Sequence, residues 1–166
     1  RGIYSLSNKP LFQPFFSTTV KRIFKKIKKN LPYINLCIWD TRWLNSFMVH
    51  QAGRFYIIIE TEKDGLDSVF HLISETEKNI FVTPDKQVME RYIGKESIIV
   101  KPLISEAPTI VLNGVTSASV EKLLVDCLTE KEILAAQQGE LDNIFRTAFE
   151  KYNVNINKAK RYARRR

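Results

Sequence analysis

Glu60, Glu62 and Lys63 are the residue types from which a metal-dependent nuclease is built. In such enzymes carboxylates hold Mg²⁺ and a lysine helps activate water. The spacing here works against that chemistry. Side chains on a strand alternate between faces, so an acid sharing a face with Lys63 would have to stand at position 61. Thr61 stands there, and Glu60 and Lys63 fall on opposite faces. The plainer reading is a charged strand end running into a capped helix. The sequence is therefore read as a protein without catalytic residues, metal or cofactor, with a metal-dependent nuclease as the enzymatic alternative.

Other reactive groups are equally unassembled. His50 and His71 stand in no zinc-like spacing with Cys37 or Cys127. Gly2, Gly53, Gly65, Gly94, Gly114 and Gly139 are isolated and make no phosphate-binding loop. No GxSxG nucleophile motif occurs. The two cysteines form neither a CxxC pair nor a disulfide framework, which fits a reducing, cytoplasmic setting.

Polar residues at element junctions suggest binding instead. Trp39, Asp40, Arg42, Trp43 and Asn45 mark a strand-to-helix junction, and clefts in α/β sheets form at the carboxyl ends of strands. The competing reading, preferred for this stretch, places Trp39, Trp43 and Leu44 in the core and makes Asp40 a helix cap. Lys101 and Glu106 bracket Pro102 ahead of Pro108, a rigid polar loop suited to contact. Asp40, Arg42, Trp43, Asn45, Glu60, Glu62, Lys63, Lys101 and Glu106 together form the candidate partner surface.

The net charge of +8 is concentrated in two stretches. Lys21, Arg22, Lys25, Lys26, Lys28 and Lys29 share one helix-like segment, and Lys158, Lys160, Arg161, Arg164, Arg165 and Arg166 close the chain. Without those twelve bases the remainder carries −4, and the first acid is Asp40. A mildly acidic body with two basic ends suits a polyanion. Lys21, Arg22, Lys25, Lys26, Lys28 and Lys29, with Lys158, Lys160, Arg161, Arg164 and Arg165, are the candidate nucleic-acid contacts; a solvated amphipathic helix and a frayed end are the bland alternatives.

The elements that must position these groups follow from periodicity. Residues 2–6 alternate like a strand, and Pro10 and Pro14 enforce an irregular linker. Ser17 caps a helix whose apolar stripe is Val20, Ile23, Phe24, Ile27 and Leu31, ended by Pro32. Strands are expected at 36–39, 54–61, 80–82 and 97–101. Between them come short helices at 41–48, after Asp64, and from Thr83-Pro84 with Thr83 as cap. A loop with Pro108 and Gly114 leads into helices with the stripes Val120, Leu123, Leu124, Cys127, Leu128 and Leu141, Ile144, Phe145, Ala148, Phe149, Tyr152. The fold class is α/β, a mixed or largely parallel sheet of about four strands flanked by helices, with a helical C-terminal tail. The divisions are 1–16 linker, 17–154 α/β body and 155–166 basic helix or tail. The longest apolar run, Phe55 to Ile59, is too short to cross a bilayer, so no membrane partner is expected. The chain does not begin with Met and reads as part of a longer protein.

Four segments carry a family resemblance: Ile38-Trp39-Asp40-Thr41-Arg42-Trp43-Leu44-Asn45-Ser46-Phe47-Met48 with His50-Gln51, Glu60-Thr61-Glu62-Lys63-Asp64, Lys101 to Pro108, and Val120 to Asp126. As a set they resemble AbiE-type antitoxins of type IV toxin–antitoxin systems, which serve in phage defence. The resemblance implies a bacterial transcriptional regulator whose N-terminal winged helix binds promoter DNA. It further implies an α/β domain that counters a nucleotidyltransferase-like toxin, and residues 1–6 as the last strand of the wing. A homodimer built on the Leu141–Tyr152 stripe, serving as a dimerisation module for the DNA-binding head, is the non-enzymatic alternative.

Overall fold

A computed structural model of the chain describes residues 8–166. The strand expected at 2–6, and with it the end of the wing, lies outside the described residues.

Helix α1 (Thr18–Asn30) starts where expected: the Ser17 hydroxyl accepts from the Val20 N–H, and Val20, Ile23, Phe24 and Ile27 are buried. Strand β1 (Leu36–Asp40) follows and runs into a 3-10 turn over Thr41–Phe47. Asp40 caps that turn by accepting from the Arg42 N–H, while Trp39, Trp43 and Leu44 are core. Strand β2 (Phe55–Thr61), α2 (Leu66–Ser74), β3 (Ile80–Val82), α3 (Lys86–Arg91) and β4 (Glu96–Pro102) complete the sheet, in the order β1-β2-β4-β3. β1 is antiparallel to β2, whereas β2, β4 and β3 are mutually parallel. The architecture is mixed α/β with helices on both faces of a four-stranded sheet.

Three local readings give way to other chemistry. Asp64 stands inside a 3-10 turn (Lys63–Gly65) and makes no side-chain cap; α2 begins after Gly65. Gly65 lets Ile34 pack close, because a Cβ would lie 2.3 Å from Ile34 Cδ1 and that side chain would have to move. Thr83 does not cap α3; Asp85 does, by accepting from the Val88 N–H, and Thr83 takes a φ of 42°. The loop with Pro108 and Gly114 is a hairpin, β5 (Thr109–Leu112) and β6 (Val115–Ala118), turned by Asn113 and Gly114 at φ 51° and 75°. Two successive positive φ angles are the geometry of a type I′ turn, which Asn-Gly favours. β6 covers the open edge of β1, and the Ser117 hydroxyl donates to the Ile38 carbonyl at 2.6 Å.

Helix α4 (Val120–Thr129), a 3-10 turn (Ala135–Glu140), α5 (Leu141–Lys151) and α6 (Ile156–Ala163) finish the chain. α6 packs on α4 and buries Tyr162 completely, so it belongs to the body. The linker is anchored as well. Phe12 and Phe16 are buried against Trp43, and Phe12 also meets Phe47 at a tilt and Tyr152 edge-on. No described helix is long and apolar enough to cross a membrane.

Candidate functional site

Strand register divides the sheet into two faces. Leu36, Ile38, Ile57, Ile59, Thr61, Ile98 and Val100 share one, beneath α1 and α2; Cys37, Trp39, Tyr56, Ile58, Glu60, Ile99 and Lys101 share the other, beneath α4 and α6. The first face is aliphatic between Thr61 at one end and Asp40 and Glu96 at the other. The second ends in acids and bases. Glu60 and Lys101 are register partners on neighbouring strands, at the carboxyl ends of β2 and β4.

Helices α4 and α6 bring the remaining members. The Lys122 ammonium lies 2.7 Å from Glu60 Oε2 and also bonds Asp126, its i+4 neighbour on α4. Trp39 Nε1 donates to the same Glu60 oxygen at 3.1 Å. Asp126 accepts from the Tyr162 hydroxyl at 2.9 Å and lies 3.3 Å from the Arg166 guanidinium. Glu130 bridges Lys101 and Arg166. Glu60, Lys122, Asp126 and Tyr162 are fully buried, and Lys101 nearly so. Three carboxylates therefore face three cations, a neutral set that low dielectric tolerates because each charge has a partner.

One atom departs from that balance. Glu60 Oε1 is buried and accepts no hydrogen bond; Lys101 Nζ approaches only to 3.9 Å. The protonation states are fixed by the surroundings. Burial alone would lower the Lys122 pKa, but Glu60 and Asp126 outweigh it and hold the ammonium charged. Burial likewise acts to raise Glu130, yet Lys101 and Arg166 bring it below the ordinary carboxylate value. Burial pushes Tyr162 up, so it donates as a neutral phenol. Burial also raises Cys37 well above its usual value, with Glu60 adding to it, and drives Cys127 up to about 12. Both thiols are buried and stay protonated, unlike an activated nucleophile.

The cluster opens on a cavity of about 440 Å³ lined by Thr83, Pro84, Lys101, Glu130, Glu132 and Arg166, among others. This is the carboxyl end of the parallel strands, where α/β sheets place ligands. Thr83, a β-branched residue at positive φ, borders it and donates its N–H to the Val100 carbonyl at 2.9 Å. Strain of that kind costs about 1–3 kcal/mol and gathers at functional sites. Among the described residues no three His, Cys, Asp or Glu side chains are placed to hold a metal ion.

The residues expected to make one partner surface are scattered. Asp40, Trp43, Glu60 and Lys101 are buried and form no surface at all. Arg42 pairs with Asp40 at 2.9 Å and with Glu96 at the start of β4, while Glu62, Lys63 and Glu106 lie at the opposite end of the sheet. The cause is the antiparallel β1: its carboxyl end meets the amino ends of β2 and β4. Asn45 accepts from the Ala52 N–H at 3.2 Å and shapes its own loop. Glu62 accepts from the Asn35 N–H at 3.3 Å. Glu60, Glu62 and Lys63 do not converge, since Glu60 turns inward and the other two are exposed.

The basic stretches are separate surfaces. Pairing consumes part of α1: Arg22 meets Glu77 at 2.7 Å, Lys26 meets Glu75 at 3.0 Å, and Lys28 donates to the Ile34 carbonyl. Lys21, Lys25 and Lys29 stay exposed, Lys21 over the Phe15 ring. On α6, Lys158, Lys160, Arg161 and Arg164 are exposed and Arg165 pairs with Glu106 at 2.6 Å. α1 and α6 cover opposite sheet faces, so the two do not merge. Of the Leu141–Tyr152 stripe, Ile144 and Ala148 are buried and Phe149 is 39% exposed.

The whole chain, residues 1–166, matches the Family of unknown function (DUF6577). It belongs to that family. No curated protein and no solved structure matches it. Members of DUF6577 are thus to be understood from what this fold brings together. Sequence reasoning missed Lys122, Asp126, Glu130, Tyr162 and Arg166 as a cluster. The one local signal was Lys122–Asp126 at i, i+4.

Proposed function

We propose that the chain is the body of an antitoxin-type transcriptional regulator, non-enzymatic, which counters a nucleotidyltransferase-like toxin and lends unspecific affinity for DNA. The observation that carries this reading is the segregation of charge. Interior carboxylates are matched with interior cations, and two groups of exposed cations stand on the helix faces of α1 and α6. Lysines on a solvent face bind phosphates in a salt-dependent, sequence-independent way. A nuclease needs carboxylates free to hold a cation, and Asp126 and Glu130 are occupied.

The test is co-expression. The nucleotidyltransferase-like gene beside the parent gene is expressed in cells with and without this chain. Restored growth makes the body an antitoxin in its own right. Failure to restore growth removes the antitoxin reading and leaves the dimerisation module as the non-enzymatic alternative.

A metal-dependent nuclease is the second reading, favoured by the unpartnered Glu60 Oε1 beside Lys101. Mn²⁺ binding that vanishes in Glu60→Ala or Glu62→Ala would support it; absence of binding in the unsubstituted chain would remove it.

A further inference from the structure

A second cavity, of about 630 Å³, contains none of the charged residues of the ionic cluster but adjoins the first cavity, sharing Lys86, Glu132 and Ile133 with it. It lies on the polar side of the sheet, between the start of β2, helix α3 and the segment 131–137. Its volume falls in the range of about 300–1,000 Å³ typical of small-molecule sites.

The lining has two characters. Tyr56, Met89 and Ile133 give an apolar wall, with Tyr56 and Met89 buried. Set into it are two polar tips without partners. Gln137 is 2% exposed as a residue; its side-chain amide and the Tyr56 hydroxyl make no hydrogen bond within the described residues, and neither is sealed from solvent, so both are open to the cavity. An amide held in a fixed place and open only to the cavity is available to pair with whatever occupies it. At the mouth, Arg54 and Lys131 are exposed and form no ion pair among the described residues, Lys86 lies 3.9 Å from Glu90, and Glu132 is an exposed acid on the same rim, so the rim carries three bases against two acids. This contrasts with the buried cluster, where every cation is matched.

An aromatic and apolar wall, an amide able both to donate and to accept, and two free cations at the opening fit one class of ligand. We infer that this cavity binds a nucleoside monophosphate. The base lies against Tyr56 and Met89, the Gln137 amide pairs with the edge of the base, and Arg54 and Lys131 take the phosphate. A guanidinium is suited to such an oxyanion because its fork can donate two parallel hydrogen bonds. The site is independent of the basic faces of α1 and α6 and of the antitoxin reading.

The experiment is isothermal titration calorimetry of the chain with AMP, GMP, CMP and UMP, each against its nucleoside, inorganic phosphate and a trinucleotide. Saturable binding of at least one monophosphate is expected. Its nucleoside and Arg54→Ala should each bind about tenfold more weakly, the loss that follows when a hydrogen bond to a charged group is removed. Gln137→Glu should weaken the preferred base selectively. Should that variant unfold, Lys131→Ala, on the exposed rim, tests the same site. The proposal is overturned if no monophosphate saturates, if binding is unchanged in both Arg54→Ala and Lys131→Ala, or if the trinucleotide binds while every mononucleotide fails.

Discussion

The two faces of one sheet are buried by different chemistry. Against α1 and α2 the interface is aliphatic: Ile23 and Ile27 of α1, with Val69 and Ile73 of α2, are at most 1% exposed above Ile38, Ile59 and Val100. Against α4 and α6, one end of the interface is ionic, with Glu60, Lys122, Asp126 and Tyr162 at 0%. Aliphatic packing is tolerant, since any side chain of fitting volume serves. An ionic interface of this depth holds only while every member is present, because a buried charge deprived of its partner keeps its full desolvation penalty. The apolar face therefore provides stability in increments, and the ionic face fixes one arrangement of β2, β4, α4 and α6.

The largest effect on this contrast is expected from Lys122→Met. It removes the cation between Glu60 and Asp126, leaving them only Lys101 at 3.9 Å and Arg166 at 3.3 Å, and it should lower unfolding free energy by about 3–5 kcal/mol. Urea denaturation measures this. The triple replacement Glu60→Gln, Lys122→Met, Asp126→Asn removes the charges together and should restore a large part of the stability. If the triple is as damaged as the single, the cluster acts through packing and its charges are incidental.

On the aliphatic face, Ile23→Ala should cost about 2–4 kcal/mol, from forfeited transfer energy and the cavity left behind. Here no second substitution in the cluster should rescue it, and the effects of Ile23→Ala and Lys122→Met should add to within about 0.5 kcal/mol, as for separate sites. A larger coupling would mean that the sheet transmits strain between its faces.

Acid should weaken the paired carboxylates, Glu130 of the ionic cluster and Glu140 outside it, and leave the aliphatic face unaffected. Glu130 is brought below the ordinary carboxylate value by Lys101 and Arg166, against the opposing effect of burial. Glu140 is pushed down to about 2, chiefly by the Asn143 amide and the Val49 N–H, with His50 assisting. A depressed carboxylate contributes stability that is present above its unfolded pKa and lost as pH falls through the folded one. Stability should thus decline from about pH 4.5 towards about pH 2. The decline should flatten in Glu140→Gln, as followed by thermal unfolding at each pH. Ile23→Ala should show the same pH dependence as the unsubstituted chain.

The unequal legibility of the two faces has a physical cause. A stripe at 3.6-residue spacing identifies one buried side of a helix, and α1 is such a helix: Ser17 and the stripe from Val20 to Ile27 were readable in full. α4 is buried from Val120 through Cys127 without interruption, so the stripe Val120, Leu123, Leu124, Cys127 describes half of its surroundings and consigns Lys122 and Asp126 to solvent. Their partner Glu60 lies 62 residues from Lys122, a separation that no local pattern spans. Asp40 as a cap was legible because capping is local. The hairpin carries a local signal too, Asn113-Gly114 between Val111-Leu112 and Val115-Thr116, which the neighbouring Pro108 masks as loop. The direction of β1 has no such signal, and it scattered the expected partner surface.

The smallest change in stability is expected where charges are exposed and unmatched. Lys21, Lys25 and Lys29 lie on the solvent side of α1, so replacing all three by Gln should leave unfolding within about 0.5 kcal/mol per site. The same triple should matter for a polyanion. If those lysines neutralise phosphates, the slope of log affinity against log salt falls by about 0.9 for each phosphate no longer neutralised, or about 2.7 for three. Electrophoretic mobility shift of duplex DNA across a salt series reads this slope. The matching α6 variant, Lys158, Lys160 and Arg161→Gln, is assayed beside it. Because α1 and α6 cover opposite faces, one duplex pressed against a single side engages only one of them, and only one triple should lower the slope. Equal reduction from both would require DNA to wrap the body or two copies to act together, and no change from either would leave the basic helices as solvent-facing surface.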